Sequence, residues 1–223
     1  MKIQILHQSD DLVLVDKPAE ALSVPSRFRE DQRPVVGSIL EKQLGVRVFP
    51  VHRLDFEVSG LMLFALTPVA HRQANLLFER QQVQKTYMAI TEQAGRAPPQ
   101  TPRATGPQLW QRKILRGKKR SYETPHGQLA VTLAEVVGKT PQDYLVWKLS
   151  PRTGKAHQLR LELSLQGFPI VGDALYGAKA TWPKPGIALR AVSLQFPPDF
   201  AARFKIPMEP QLEPCLPDDL VFP

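Results

Sequence analysis

His52-Arg53-Leu54-Asp55-Phe56-Glu57-Val58-Ser59-Gly60-Leu61 is the stretch on which the reading of this chain turns. It sets one carboxylate beside an arginine and a histidine, then runs through Ser59-Gly60 into the apolar segment Leu61 to Leu66. A charged side chain at the mouth of a buried strand persists when something pairs with it, so Asp55 reads as part of a site. Taken alone it reads better as a turn or cap residue. The neighbouring segments have to supply its partners.

Around that stretch the pattern is that of a mixed α+β chain. Ile3 to His7 and Leu12 to Asp16 read as short strands about a Ser-Asp-Asp turn, and Asp10-Asp11 as part of that turn. Residues 18 to 34 carry Pro18, Pro25 and Pro34 and read as a loop. Val35 to Leu44 fits a short helix stopped by Gly45. Gly60 to Ala65 is a buried strand. Thr67-Pro68 opens a helix, as an N-cap followed by proline in the first turn, running to about Gln82. Lys85 to Thr91, Leu109 to Leu115, Gln128 to Val137 and Tyr144 to Leu149 read as further strands, with residues 92 to 107 an irregular, proline-bearing excursion. In Arg152 to Gly167 two periods compete. Leu159, Leu161, Leu163 and Leu165 alternate as a strand would, while Ala156, Leu159 and Leu163 share a helical face with Gly167 as its stop. Periodicity alone slightly favours the strand. With no repeat and no linker, the expectation is one domain over 1–223, its core about 5–198 and a proline-rich tail over 199–223.

Composition narrows the function classes. The 29 Lys and Arg against 21 Asp and Glu leave a formal charge of +8. Arg112-Lys113-Ile114-Leu115-Arg116-Gly117-Lys118-Lys119-Arg120 carries six of those cations and no acid. A solvated loop would look the same, but with a basic total the run favours a polyanion through phosphate neutralisation, and Arg116, Lys118, Lys119 and Arg120 are its candidate contacts. No amphipathic helix accompanies the cluster, and no run spans a bilayer, so membrane binding is not expected. The start shows no signal-peptide pattern, and a cytoplasmic location is expected. The single Cys215 rules out an internal disulfide and a cysteine-cluster metal site, and reads as inert. His52 and His157 suggest a metal pair only on paper. They lack a third ligand at typical spacing, and structural hydrogen bonding is the better reading.

Four segments, in order, resemble the RluA family of RNA pseudouridine synthases. His52 to Leu61 resembles its HRLDxxTSGL signature. Lys85-Thr86-Tyr87 resembles K-x-Y, and Thr153-Gly154-Lys155-Ala156-His157-Gln158-Leu159-Arg160 resembles TGRxHQLR. Gly167-Phe168-Pro169-Ile170-Val171-Gly172-Asp173-Ala174-Leu175-Tyr176-Gly177 resembles GHPIxGDxxYG. The likeness runs from about Ile5 to Pro198. It implies an α+β fold, with a mixed, mainly antiparallel sheet flanked by helices and loops. It also turns the 152–167 ambiguity towards helix.

The resemblance further implies an isomerase that replaces the N1–C1′ bond of a uridine by a C5–C1′ bond, with no cofactor and no metal. Asp55 would act at C1′, where positive character builds as the glycosidic bond breaks. The leaving uracil is a delocalised anion, which lessens the need for a second acid. Arg160 would keep Asp55 ionised, since a carboxylate in a dry pocket protonates unless a cation holds it. Tyr87 would pack the uracil. His52 and Arg53 are expected at the RNA, Arg53 on a phosphate or stacked where the base was. Ile170, Val171 and Leu189 are expected either at the base or in plain core, and Tyr176 and Trp147 in the core. The chain resembles the short members without an S4 module, acting on tRNA or rRNA stem-loops, and a monomer is expected.

Departures from the pattern are Val58 for threonine, Lys155 for arginine, Glu162 for histidine, and Arg190 and Pro197 for two histidines near the end. Two rivals stand beside this reading: an RNA-binding protein on the same fold without catalysis, and a nucleoside-cleaving hydrolase, which lacks an obvious second carboxylate.

Overall fold

A computed structural model describes residues 1–26, 28, 30–93 and 106–214. The described elements, in chain order, are β1 (Gln4–Gln8), β2 (Leu12–Lys17), α1 (Val36–Leu44), β3 (Phe49–Pro50), β4 (Ser59–Ala65), α2 (Pro68–Glu79) and β5 (Gln84–Thr91). They continue with β6 (Gln108–Arg116), β7 (Ser121–Glu123), β8 (Gln128–Lys139), β9 (Leu145–Pro151), α3 (Gln158–Leu165), β10 (Leu189–Gln195) and α4 (Pro198–Phe204). The fold class is α+β, with mostly antiparallel strands and four helices among the described residues. The chain divides into two compact units, Met1–Gln84 with Ala191–Glu213, and Lys85–Arg190 with Pro214–Pro223. Cys215, residues 94–105 of the expected excursion and the end of the expected tail lie outside the described residues.

In the first unit β1, β2, β4 and β10 lie side by side, with β3 on β4. β2 and β4 are buried on both faces, which is why their sequences are nearly continuous apolar runs. Leu12, Leu14, Leu61 and Leu63 point into one core with Ala70 and Ala74 of α2 and Phe200 and Phe204 of α4. Val13, Val15, Met62 and Phe64 point the other way, against Val36 and Leu40 of α1. The period of two thus sorts each strand between two helical layers. Gly60 has φ 119°, and a Cβ there would collide with the backbone of Ala191, so only glycine fits at the second position of β4. α1 ends as expected at Gly45 in the left-handed region. Thr67 caps α2 by accepting from the Ala70 N–H, and its hydroxyl donates to Asp11 Oδ1 at 2.6 Å, giving that turn acid a specific partner.

In the second unit the antiparallel order is β5, β9, β8, β6 and β7. α3 covers one face, where Leu161 meets Ile114 of β6, Ala130 of β8 and Tyr176. The basic run 112–120 is the β6–β7 hairpin, closed by the Gly117 N–H donating to Arg120 O at 3.0 Å. Trp147 is core, as expected, with the rings of Trp110 and Phe168 packed at a tilt against it, and donates to Thr91 Oγ1 at 2.8 Å. The 152–167 ambiguity resolves as helix. Every residue of α3 from Gln158 to Leu163 is buried, so its sequence shows no single apolar face. Pro198–Phe204 is also helical, although the sequence there reads as the start of a proline-rich tail. Its proline occupies the first turn, where the missing N–H has no partner to lose.

Candidate active site

Asp55 sits on an irregular segment entering β4, half-buried, with Arg53 exposed beside it. Three attachments from the 17–23 region fix that segment. Ser23 Oγ donates to Leu54 O at 2.7 Å and accepts from the Leu54 N–H at 2.9 Å. The Glu20 N–H donates to Phe56 O at 2.8 Å. Lys17, fully buried at 0 % exposure, aims its ammonium at Val58 O (2.7 Å), Pro18 O (2.9 Å) and Phe56 O (3.5 Å). The Val58 N–H closes a turn on Asp55 O at 3.2 Å. The backbone on both sides of Asp55 is therefore held by buried side chains, which is how a rigid scaffold presents one carboxylate in a fixed place.

Lys17 is the site residue that the sequence reading missed. Burial pulls its pKa down to about 8, while Asp55, then Glu57 and Asp16, favour the charged form. Its only signal in the sequence is a lysine ending an apolar strand, which the Lys17-Pro18 break explains equally well. Val58, where the resemblance has threonine, is buried at 3 % exposure and contributes its carbonyl to Lys17.

His52 accepts the Leu63 N–H on Nε2 at 3.0 Å and stacks on Phe78 with ring centroids 4.6 Å apart. That bond puts the proton on Nδ1 and gives the ring an architectural job, the structural reading the sequence favoured over a metal pair. Among the described residues no group of three or more His, Cys, Asp or Glu could hold a metal ion.

In the second unit three of the quoted segments come together. Lys85, two residues before Tyr87 on β5, donates to Thr153 O at 3.3 Å, and burial lowers its pKa. By register Tyr87 pairs with Leu149 and lies on the same sheet face as α3. Arg160 of α3 reaches Asp173 through Nε (2.7 Å) and Nη2 (2.8 Å), a bidentate pair with both side chains buried. Asp173 is thus more than a turn residue: it orients the guanidinium. Tyr176 is core as expected. Its hydroxyl accepts the Ser121 N–H at 2.7 Å and lies 3.0 Å from His157 Nδ1, at the left-handed N-cap of α3. Ile170, Val171 and Leu189 are all buried. Lys155 reaches Gln128 Oε1 at 2.8 Å, a single contact that needs no guanidinium fork.

Glu162 stands where the resemblance has histidine. It is fully buried, accepts from Thr132 Oγ1 at 2.6 Å, and leaves Oε1 without a partner. Burial raises its pKa to about 7, against the pull of Thr132 and Arg112.

Residues 11–165 match the family described as RNA pseudouridylate synthase. The chain belongs to the RluA family of pseudouridine synthases. It is an isomerase that acts on RNA. It is 34% identical over 197 residues to the dual-specificity RNA pseudouridine synthase RluA of Pasteurella multocida, covering 87% of this chain and 86% of that protein. It is also 34% identical over 183 residues to the tRNA pseudouridine synthase C of the same organism, covering 79% and 75%. Among solved structures, human RNA pseudouridylate synthase domain containing 1 shares the fold with a TM-score of 0.71 at 23% identity, covering 97% of this chain and 84% of that one. No described helix is long and apolar enough to cross a membrane.

Proposed function

We propose that this pseudouridine synthase modifies uridines in tRNA or rRNA stem-loops, with Asp55 acting at C1′ of a uridine turned out of its stack. The observation that carries the reading is the buried clamp on Leu54, Phe56 and Val58, which fixes the backbone on both sides of one half-buried carboxylate. Of the two relatives in Pasteurella multocida, the one named tRNA pseudouridine synthase C supports tRNA as a substrate class, and the one named a dual-specificity RNA pseudouridine synthase supports RNA of more than one kind.

In the proposed reaction the N1–C1′ bond breaks, the uracil turns, and the C5–C1′ bond forms. C5 then gives up its proton and N1 gains one, so product and substrate are isomers. Electrons and atoms balance without a redox group. Asp55 stabilises or attacks C1′ as the glycosidic bond opens. Arg160, oriented by Asp173, and Tyr87 are proposed as the further catalytic residues, with Tyr87 packing the uracil ring. Ile170 and Leu189 are proposed at the base. Arg53, Arg116, Lys118, Lys119 and Arg120 are proposed on the RNA backbone. His52 is proposed beside Arg53 at the RNA, with its Nε2 and one ring face also engaged by Leu63 and Phe78. The protein is read as a cytoplasmic monomer whose whole chain serves one catalytic domain.

Incubation with transcribed tRNA and rRNA fragments tests the reading. Wild type should form pseudouridine, and Asp55→Asn should bind the same RNA with turnover reduced to background. Binding without conversion by wild type would leave an RNA-binding protein, and release of free uracil would leave a hydrolase.

A further inference from the structure

The strands of the second unit have two unlike faces. On β6, Trp110 and Ile114 point inward, on the side that α3 covers, while Leu109, Gln111, Lys113 and Leu115 alternate outward. The register carries that outward face across the neighbours: Leu115 opposes Tyr122 of β7, Lys113 opposes Leu129, Gln111 opposes Val131, and Leu109 opposes Leu133 of β8. Leu109, Leu115, Tyr122 and Leu129 are 50 %, 40 %, 45 % and 51 % exposed. Leucines and a tyrosine in register on one open sheet face form a contiguous apolar patch, which on a soluble protein marks a binding surface.

Charge selects the occupant. The hairpin tip at the edge of the patch carries Arg116, Lys118, Lys119 and Arg120, all exposed. Lys113, Lys148 and Arg152 lie on the outward face itself, with Glu135 in register with Lys148. The hairpin's own acid, Glu123, opposes Ile114 and so points to the other face, where it pairs with Arg112 at 3.2 Å. A flat apolar sheet with one exposed aromatic and cations at its rim fits unpaired nucleotides, whose bases stack on the ring while the phosphates meet the cations.

We infer that the outward face of β6, β7 and β8 is a second RNA surface, which binds a single-stranded stretch beyond the target uridine by stacking a base on Tyr122. The inference rests on the reading of the basic hairpin as an RNA contact and adds the face, the stacking residue and the unpaired state of the ligand.

Fluorescent oligoadenylate is the probe, because it contains no uridine for the catalytic site. Wild type should bind it, and Tyr122→Ala should weaken binding by about 5- to 100-fold, the loss expected for one stacked base. Tyr122→Phe should keep the affinity, and the unfolding midpoint of each variant should match wild type because the side chain is exposed. The inference is overturned by a wild type that does not bind, by Tyr122→Ala and Leu129→Ser binding as well as wild type, or by light scattering that shows a dimer dispersed by Tyr122→Ala. Pseudouridine formation on transcribed RNA, measured in parallel, fails or succeeds separately. Its absence would remove the catalytic reading and leave the oligoadenylate result standing.

Discussion

Lys17 shows how much of a candidate site can rest on a side chain that is wholly buried. Its ammonium holds the Phe56 and Val58 carbonyls that follow Asp55, and burial has brought its pKa down to about 8 from 10.5. At neutral pH it is still charged. As pH rises past about 8 the folded protein loses that proton first, so the clamp fails before the chain would otherwise deprotonate. The sign for stability is the opposite of the sign for activity. Between about 8 and 10.5 the unfolded chain binds more protons than the folded one, so this lysine's contribution to stability rises with pH. Turnover should therefore fall above pH 8 while the urea midpoint shows no matching loss from this group. Lys17→Met should lower kcat by about 10- to 100-fold through a displaced Asp55, with a smaller change in KM, and should flatten the alkaline limb. An alkaline limb unchanged in that variant would remove Lys17 from the positioning of the loop. Asp55 stood out through the resemblance of four segments to one family, since taken alone it reads as a turn or cap residue. Lys17 and Ser23 were not, because their partners are backbone carbonyls and an N–H more than thirty residues away.

At the scale of elements, alternation and apolar runs located most of the strands and two of the helices, and failed on the helix that is buried all round. β1, β2, β4, β5, β6, β8 and β9, together with α1 and α2, lie where alternation, caps and stops put them. α3 needed more than its own pattern because it has no solvent face, and α4 hid behind two prolines that act as helix starters. β7, just after the basic run, was too short to register, and β10 was not read as a strand. Glu162 is the cost of burying a carboxylate on such an all-buried helix. With a pKa of about 7 in the fold against 4.5 in a free carboxyl, the folded state holds the proton over that interval and the unfolded state does not. Stability then falls as pH climbs from 4.5 to 7 and stays reduced above, by at most about 3 kcal/mol. Glu162→Gln should keep the Thr132 hydrogen bond and abolish that decline. Urea melts of both proteins below pH 4.5 and above pH 7 check it, and an equal decline in the two would clear Glu162.

For the whole molecule the relevant quantity is the charge of +8 and where it sits. A positive total draws RNA from a distance and is screened by salt, but only cations that touch phosphates set the slope of affinity against salt. Arg116, Lys118, Lys119 and Arg120 project from one hairpin tip, and Arg116 reaches Lys119 O at 2.7 Å, so the turn presents its charges as a fixed group. The carboxylate proposed to act in catalysis, that of Asp55, belongs to the other compact unit. Grip and chemistry should therefore separate on mutation. Changing all four tip cations to alanine should reduce the slope of log K against log salt by roughly three, at about 0.7 to 0.9 for each phosphate no longer neutralised. It should also raise KM steeply at physiological salt while kcat at saturating RNA stays near wild type. Filter-binding titrations across a salt series, paired with single-turnover rates, measure both quantities. A slope that does not move would place the phosphate-binding cations elsewhere on the protein, and a kcat that collapses with KM would mean that the hairpin also shapes the catalytic geometry.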